Sequence, residues 1–158
     1  MEREYAEDRP YWTTTVHPAK SQGEIIELLE DFGASDMIVS QGHSQGQIAW
    51  VIRFKWLGRV YRFVFVPRGC RNPDKESSFN SKRRVHIEQA RYQMGRTAVH
   101  FIKAILTAAE EHEGALFGFL ELPGAGVYPG GLPPVASEVD LTSLVGDLPP
   151  LLEGVIEA

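Results

Sequence analysis

The chain has 158 residues, 43% of them apolar, with five His, a single Cys and a formal net charge of −5. That length and apolar content suffice for the core of one domain without metal, and the lone Cys70 excludes an intramolecular disulfide and any multi-cysteine zinc site. The net charge conceals an asymmetry. Residues 52–103 hold thirteen of the 16 Lys and Arg against three acids, a balance of +10, whereas residues 1–51 stand at −6 and residues 104–158, which have no base, at −9. Such a block suits phosphate or an acidic partner.

Residues 1–12 are acidic and polar, without the basic start and apolar stretch of a signal peptide, and read as a flexible arm. No run approaches the roughly 18 apolar residues of a membrane span, so a cytoplasmic protein with no membrane association is expected. Thr13–Val16 has the β-branched content of a short strand. Ser21, with Glu24 three residues on, predicts a capped helix over residues 22–32, ended by Gly33. Met37–Val39 begins a strand, and residues 41–46 read as a turn. Residues 47–56 then alternate, with Ile48, Trp50, Ile52 and Phe54 on one face and Arg53 and Lys55 on the other. Leu57-Gly58 is a hairpin connection, and residues 59–66 return with Tyr61, Phe63 and Phe65 on one side and Val60, Arg62 and Val64 on the other.

Residues 67–81, rich in Gly, Pro, Asn, Asp and Ser, read as an exposed loop carrying Arg68, Arg71 and Lys75. A long helix is expected over residues 82–113. Gln89, Gln93, Arg96, His100, Lys103 and Thr107 line one side, and Ile87, Met94, Ala98, Phe101 and Ile105 line the opposite, sheet-facing side. Arg91 projects near that apolar stripe, so it must meet a carboxylate or emerge at an edge. Residues 123–158 form a Pro/Gly-rich acidic tail in which Leu148–Leu152 is an apolar segment able to dock. The pattern predicts a single α+β domain over residues 13–122. Its antiparallel meander of three to four strands packs against one long helix and one shorter N-terminal helix.

No established catalytic signature survives its context. Gly42-His43-Ser44-Gln45-Gly46 matches the G-x-S-x-G string of serine hydrolases, but strand-like residues follow it where the nucleophile elbow needs a helix. His17, His43, His86, His100 and His112 show no pair at the spacing of a shared helical metal site, and Glu111-His112-Glu113 reads as a solvated helix end. Asp74 has no downstream acid-x-Lys strand to complete a nuclease centre. There is no phosphate-cradling glycine loop, and no cofactor or metal is expected.

The basic constellation remains. Arg53, Lys55, Arg59 and Arg62 on paired strands, continued by Arg83, Arg84, Arg96 and Lys103, supply charge for phosphates, while Tyr61 and Tyr92 are candidate platforms for bases. DNA or RNA is the leading expected partner, for a non-catalytic protein. The alternative is a protein-interaction module, which binds an acidic host or phage protein through the same block or forms a homo-oligomer by meeting the acidic tail of another copy.

The order of elements resembles a family of small uncharacterised proteins of phage and prophage genomes, especially actinobacterial ones. The resembling residues are Ser21, Glu24-Ile25, Leu28-Leu29, Gly33-Ala34, Phe54, Gly58-Arg59, Arg62, Glu88-Gln89-Ala90, Gln93, Arg96, Ile102-Lys103-Ala104 and Leu122-Pro123, spanning residues 13–123. The family usually has a tryptophan just before the equivalent of Arg96, where this chain has Gly95. The resemblance implies no activity. It implies a phage-type accessory role in a host-cell cytoplasm.

Overall fold

The computed structural model describes residues 4–44, 46–124 and 131–139, with Ser44 as backbone alone. The expectations for the rest of the tail, including Leu148–Leu152, lie outside the described residues. The fold is α+β, as the pattern predicts. Strands β1 (Ser35–Ser44), β2 (Gln47–Trp56) and β3 (Arg59–Phe65) form an antiparallel meander in sequence order. The register sets Trp50 opposite Phe65, Ile52 opposite Phe63 and Phe54 opposite Tyr61. One sheet face is therefore continuous aromatic and β-branched surface. Leu57 and Gly58 both take positive φ, 50° and 76°, which matches a tight hairpin turn to the twist of its strands.

Helices α1 (Pro18–Phe32) and α2 (His86–Glu111) cover that face, and Ile25, Leu29, Ala98, Ile102 and Leu106 pack on it. The first helix begins earlier than expected. His17 is its N-cap, accepting from the Ala19 N–H at 3.0 Å, and Pro18 occupies the first turn, where its missing N–H costs nothing. Ser21 is instead buried inside the helix against α2. Gly95 makes this approach possible, since a Cβ there would stand 3.0 Å from Ser21 Cβ and 3.3 Å from the Trp50 ring.

Four further expectations are corrected. Residues 67–81 are not loop throughout, and α2 does not start at Lys82. A second hairpin, β4 (Glu76–Phe79) with β5 (Lys82–Val85), turns through Asn80 and Ser81 at positive φ and buries Phe79 against Trp12. Thr13–Val16 is not a strand, because the carbonyls of Trp12 and Thr14 accept from Gln89 Nε2 at 2.8 and 2.7 Å. The side of α2 expected to face the sheet does not do so throughout: Ile87 and Phe101 are exposed, while Gln89 and Gln93 on the opposite side are buried. The segment 4–12 is not loose. Ala6 is fully buried in a 3-10 turn (Ala6–Asp8), and Gln93 Nε2 donates to the carbonyls of Ala6, Arg9 and Pro10.

Two outer segments complete the architecture. Residues 120–122 bond to the β3 edge, with Glu121 N–H donating to Val60 O at 2.9 Å, and Val135 pairs in turn with Glu121. The Gly42–Gly46 string sits in a hairpin, since β1 continues to Ser44 and β2 starts at Gln47, so no elbow forms. Among the described residues no helix is long and apolar enough to cross a membrane.

Candidate nucleic-acid interface

On the outer face of the sheet, expected to be the phosphate-binding surface, Arg53 and Arg62 are engaged by the chain itself. Arg53 grips Glu121 with two nitrogens, Nε at 2.7 Å and Nη2 at 2.8 Å. Arg62 reaches Glu121 at 3.5 Å, Glu138 at 3.1 Å and the Pro133 carbonyl at 2.7 Å. Glu121 is only 2% exposed and Arg62 10%, so this ion group is structural. The bond to Glu121 raises the Arg53 pKa, against an opposing effect of burial.

The other expected bases scatter. Lys55 pairs with Asp36 at 3.6 Å and Arg83 with Glu76 at 3.5 Å, both on open surface. Arg59 is half-buried beside Tyr61. Arg96 is held by Ser21 and Glu24 between the helices. Arg84 is buried over the Tyr92 ring, 4.0 Å from its centroid. Lys103 is exposed on α2, roughly 18 Å along the axis from Arg91 at 1.5 Å per residue. Tyr61 and Tyr92 are corrected as stacking platforms, because both rings are buried in the domain and neither offers a face to a base. Burial pushes the Tyr61 phenol pKa up despite Arg59 beside it.

Exposed bases gather elsewhere. Arg68, Arg71, Lys75, Lys82, Arg83 and Arg91 are all exposed, and they lie on the 66–75 loop, the second hairpin and the first turns of α2. Those pieces are tied together: His86 N–H donates to Lys75 O at 2.9 Å and Ile87 N–H to Pro73 O at 3.1 Å. Arg91 emerges at the edge, as its position requires, and lines with Arg68 a pocket of 120 Å³ floored by Pro73, Ile87 and Ala90. Arg68 also lines a 280 Å³ pocket with Tyr11, Phe65, Met94 and Thr97. Arg68 is the one residue common to the two linings.

Tyr11 is the aromatic that sequence reasoning missed. It is 41% exposed, stacks in parallel on His100 at 4.7 Å and takes φ 67°, a left-handed conformation that a bulky residue rarely adopts. Gln93, by binding the Arg9 and Pro10 carbonyls, holds it in place. The sequence carried no local signal for this, since the helix residues that anchor the arm lie more than eighty positions away. Cys70 lines the 120 Å³ pocket, and burial, with Glu7 adding to it, raises its thiol pKa, so it is a poor nucleophile. Among the described residues no group of three or more His, Cys, Asp or Glu is placed to hold a metal ion.

No family model matches the chain, and neither a curated protein nor a solved structure matches it.

Proposed function

We propose that the protein binds single-stranded nucleic acid along the surface of Tyr11, Arg68 and Arg91 rather than on the sheet. The observation that carries this reading is that an exposed tyrosine and two exposed arginines line two pockets that have Arg68 in common. Charge tracks phosphates and a ring face stacks bases, the combination that single-strand binders use. Lys75, Lys82 and Arg83 extend the positive field around the same end. A phage-type accessory role rests on the resemblance alone.

The test is fluorescence anisotropy of labelled single-stranded DNA and RNA at two salt concentrations. Each phosphate neutralised contributes roughly 0.7 to the slope of log K against log salt. Arg68→Glu/Arg91→Glu is expected to abolish measurable binding, Tyr11→Ala to weaken it by about 1–3 kcal/mol as lost stacking does, and Lys103→Glu to leave it unchanged. Salt-insensitive or absent binding overturns the reading. The alternative, a protein-interaction module, draws on Ile38 and Val64, each 55% exposed on the outer sheet face, and gains if no nucleic acid binds.

A further inference from the structure

A second cluster forms where the N-terminal arm, the second hairpin and the first turn of α2 meet. His86 Nε2 lies 2.8 Å from Ser77 Oγ, and His86 Nδ1 lies 3.3 Å from Glu7 Oε2. Glu7 fixes the direction of both bonds. Burial alone would raise its pKa, but the N–H groups of Asn72 and Arg71, donating at 2.9 and 2.8 Å, and the His86 ring hold it below the ordinary 4.5. Near neutral pH Glu7 is therefore a carboxylate that only accepts. In the neutral ring Nδ1 therefore carries the proton, and Nε2 accepts from the Ser77 hydroxyl. Serine to imidazole to carboxylate is the polarity that activates a hydroxyl nucleophile.

The surroundings fit that use. Trp12 packs edge-on to the imidazole at 5.0 Å, and the His86 side chain is 7% exposed, so the ring is locked. Ser77 stays partly exposed on β4. Arg84 stands directly opposite it across the ladder, hence on the same hairpin face. Arg84 is 9% exposed, and its contacts are Gln89 Oε1 at 3.2 Å and the Tyr92 ring. Neither is an anion, and among the described residues no carboxylate pairs with it. A buried cation without a counter-ion is costly unless negative charge arrives beside it.

We propose that Ser77, His86, Glu7 and Arg84 form an acyl-transfer site that hydrolyses small carboxylic esters bearing an anionic acyl group. Lys75, Lys82 and Arg83, exposed on and before the same hairpin, favour that charge. His86 Nε2 takes the Ser77 proton as Oγ bonds to the carbonyl carbon, and the carbonyl π pair moves onto oxygen beside Arg84. Collapse restores the carbonyl and expels the alcohol oxygen, which takes the proton from Nε2. Water, deprotonated by Nε2 in turn, attacks the acyl-Ser77 ester and releases the carboxylic acid and the Ser77 hydroxyl.

The test treats the full chain with a fluorophosphonate probe, maps the adduct by mass spectrometry, and follows hydrolysis of 4-nitrophenyl hemisuccinate and 4-nitrophenyl acetate. The adduct is expected on Ser77, with the hemisuccinate turned over faster. Ser77→Ala, which removes one hydroxyl and is checked for folding by circular dichroism, is expected to abolish both signals. His86→Gln is expected to slow turnover roughly 100-fold. If that variant does not fold, adduct mapping on the wild type and Ser77→Ala still decides. An unlabelled Ser77, or turnover unchanged in Ser77→Ala, overturns the proposal and leaves the trio as an anchor for the arm; equal turnover of the two esters overturns its anionic-substrate part. Binding at Tyr11, Arg68 and Arg91 stands or falls separately.

Discussion

Gly95 is enclosed from two sides by groups that cannot easily retreat. Ser21 Cβ is fixed by the backbone of α1, and Trp50, 1% exposed, is wedged in the sheet. Alanine would gain about 1 kcal/mol of helix propensity, whereas overpacking a tight site costs about 1–3 kcal/mol. The contacts at 3.0 and 3.3 Å are close enough for the second effect to win. Gly95→Ala is expected to destabilise the protein by about 1 kcal/mol, read as a lower urea midpoint at unchanged slope. A raised midpoint would show that α1 yields and that propensity governs the position.

At the scale of elements, the C-terminal segment is fastened to the sheet by one buried carboxylate. Among the described residues, Glu121→Ala would leave Arg62, 10% exposed, facing only Glu138 and a carbonyl, and Arg53 facing no acid. Breaking a buried pair costs about 3–5 kcal/mol, and Arg53, a third exposed, puts the expectation near the low end, about 3 kcal/mol. Hydrogen exchange should quicken first at Ala136, whose N–H donates to Leu120 O. A loss under about 1 kcal/mol would class the group with surface pairs. The meander and its inward residues were legible because a half-buried strand must alternate. The second hairpin was not, since each strand has four residues and Phe79 alone supplies a buried apolar side chain. The burial of Gln89 and Gln93 was not legible, because their partners are backbone carbonyls of the arm, invisible to periodicity. The density of bases was visible, but which of them are occupied depends on acids at positions 8, 24, 36, 121 and 138, brought near only by folding.

Over the whole molecule, the dipolar sequence folds its acidic flanks onto its basic middle. Asp8 meets Arg71, Glu24 meets Arg96, Asp36 meets Lys55, and Glu121 with Glu138 meets Arg53 and Arg62. Glu7 extends the pattern to backbone N–H groups and, among the described residues, is the carboxylate whose pKa is lowered. A carboxyl group with a depressed folded pKa contributes stability that is fully present above its unfolded value and lost as pH falls through the folded one. For Glu7 the contribution is complete above the ordinary 4.5 and fades below it. Acid should therefore release the arm, because protonated Glu7 no longer attracts the Arg71 and Asn72 amides, and Trp12, seated on His86, should report it by fluorescence. Glu7→Gln is expected to flatten that acid transition and to lower stability at neutral pH. Since Tyr11 rides on the same arm, nucleic-acid binding should fall with the fluorescence change; an acid transition unchanged in Glu7→Gln would assign it to the other carboxylates.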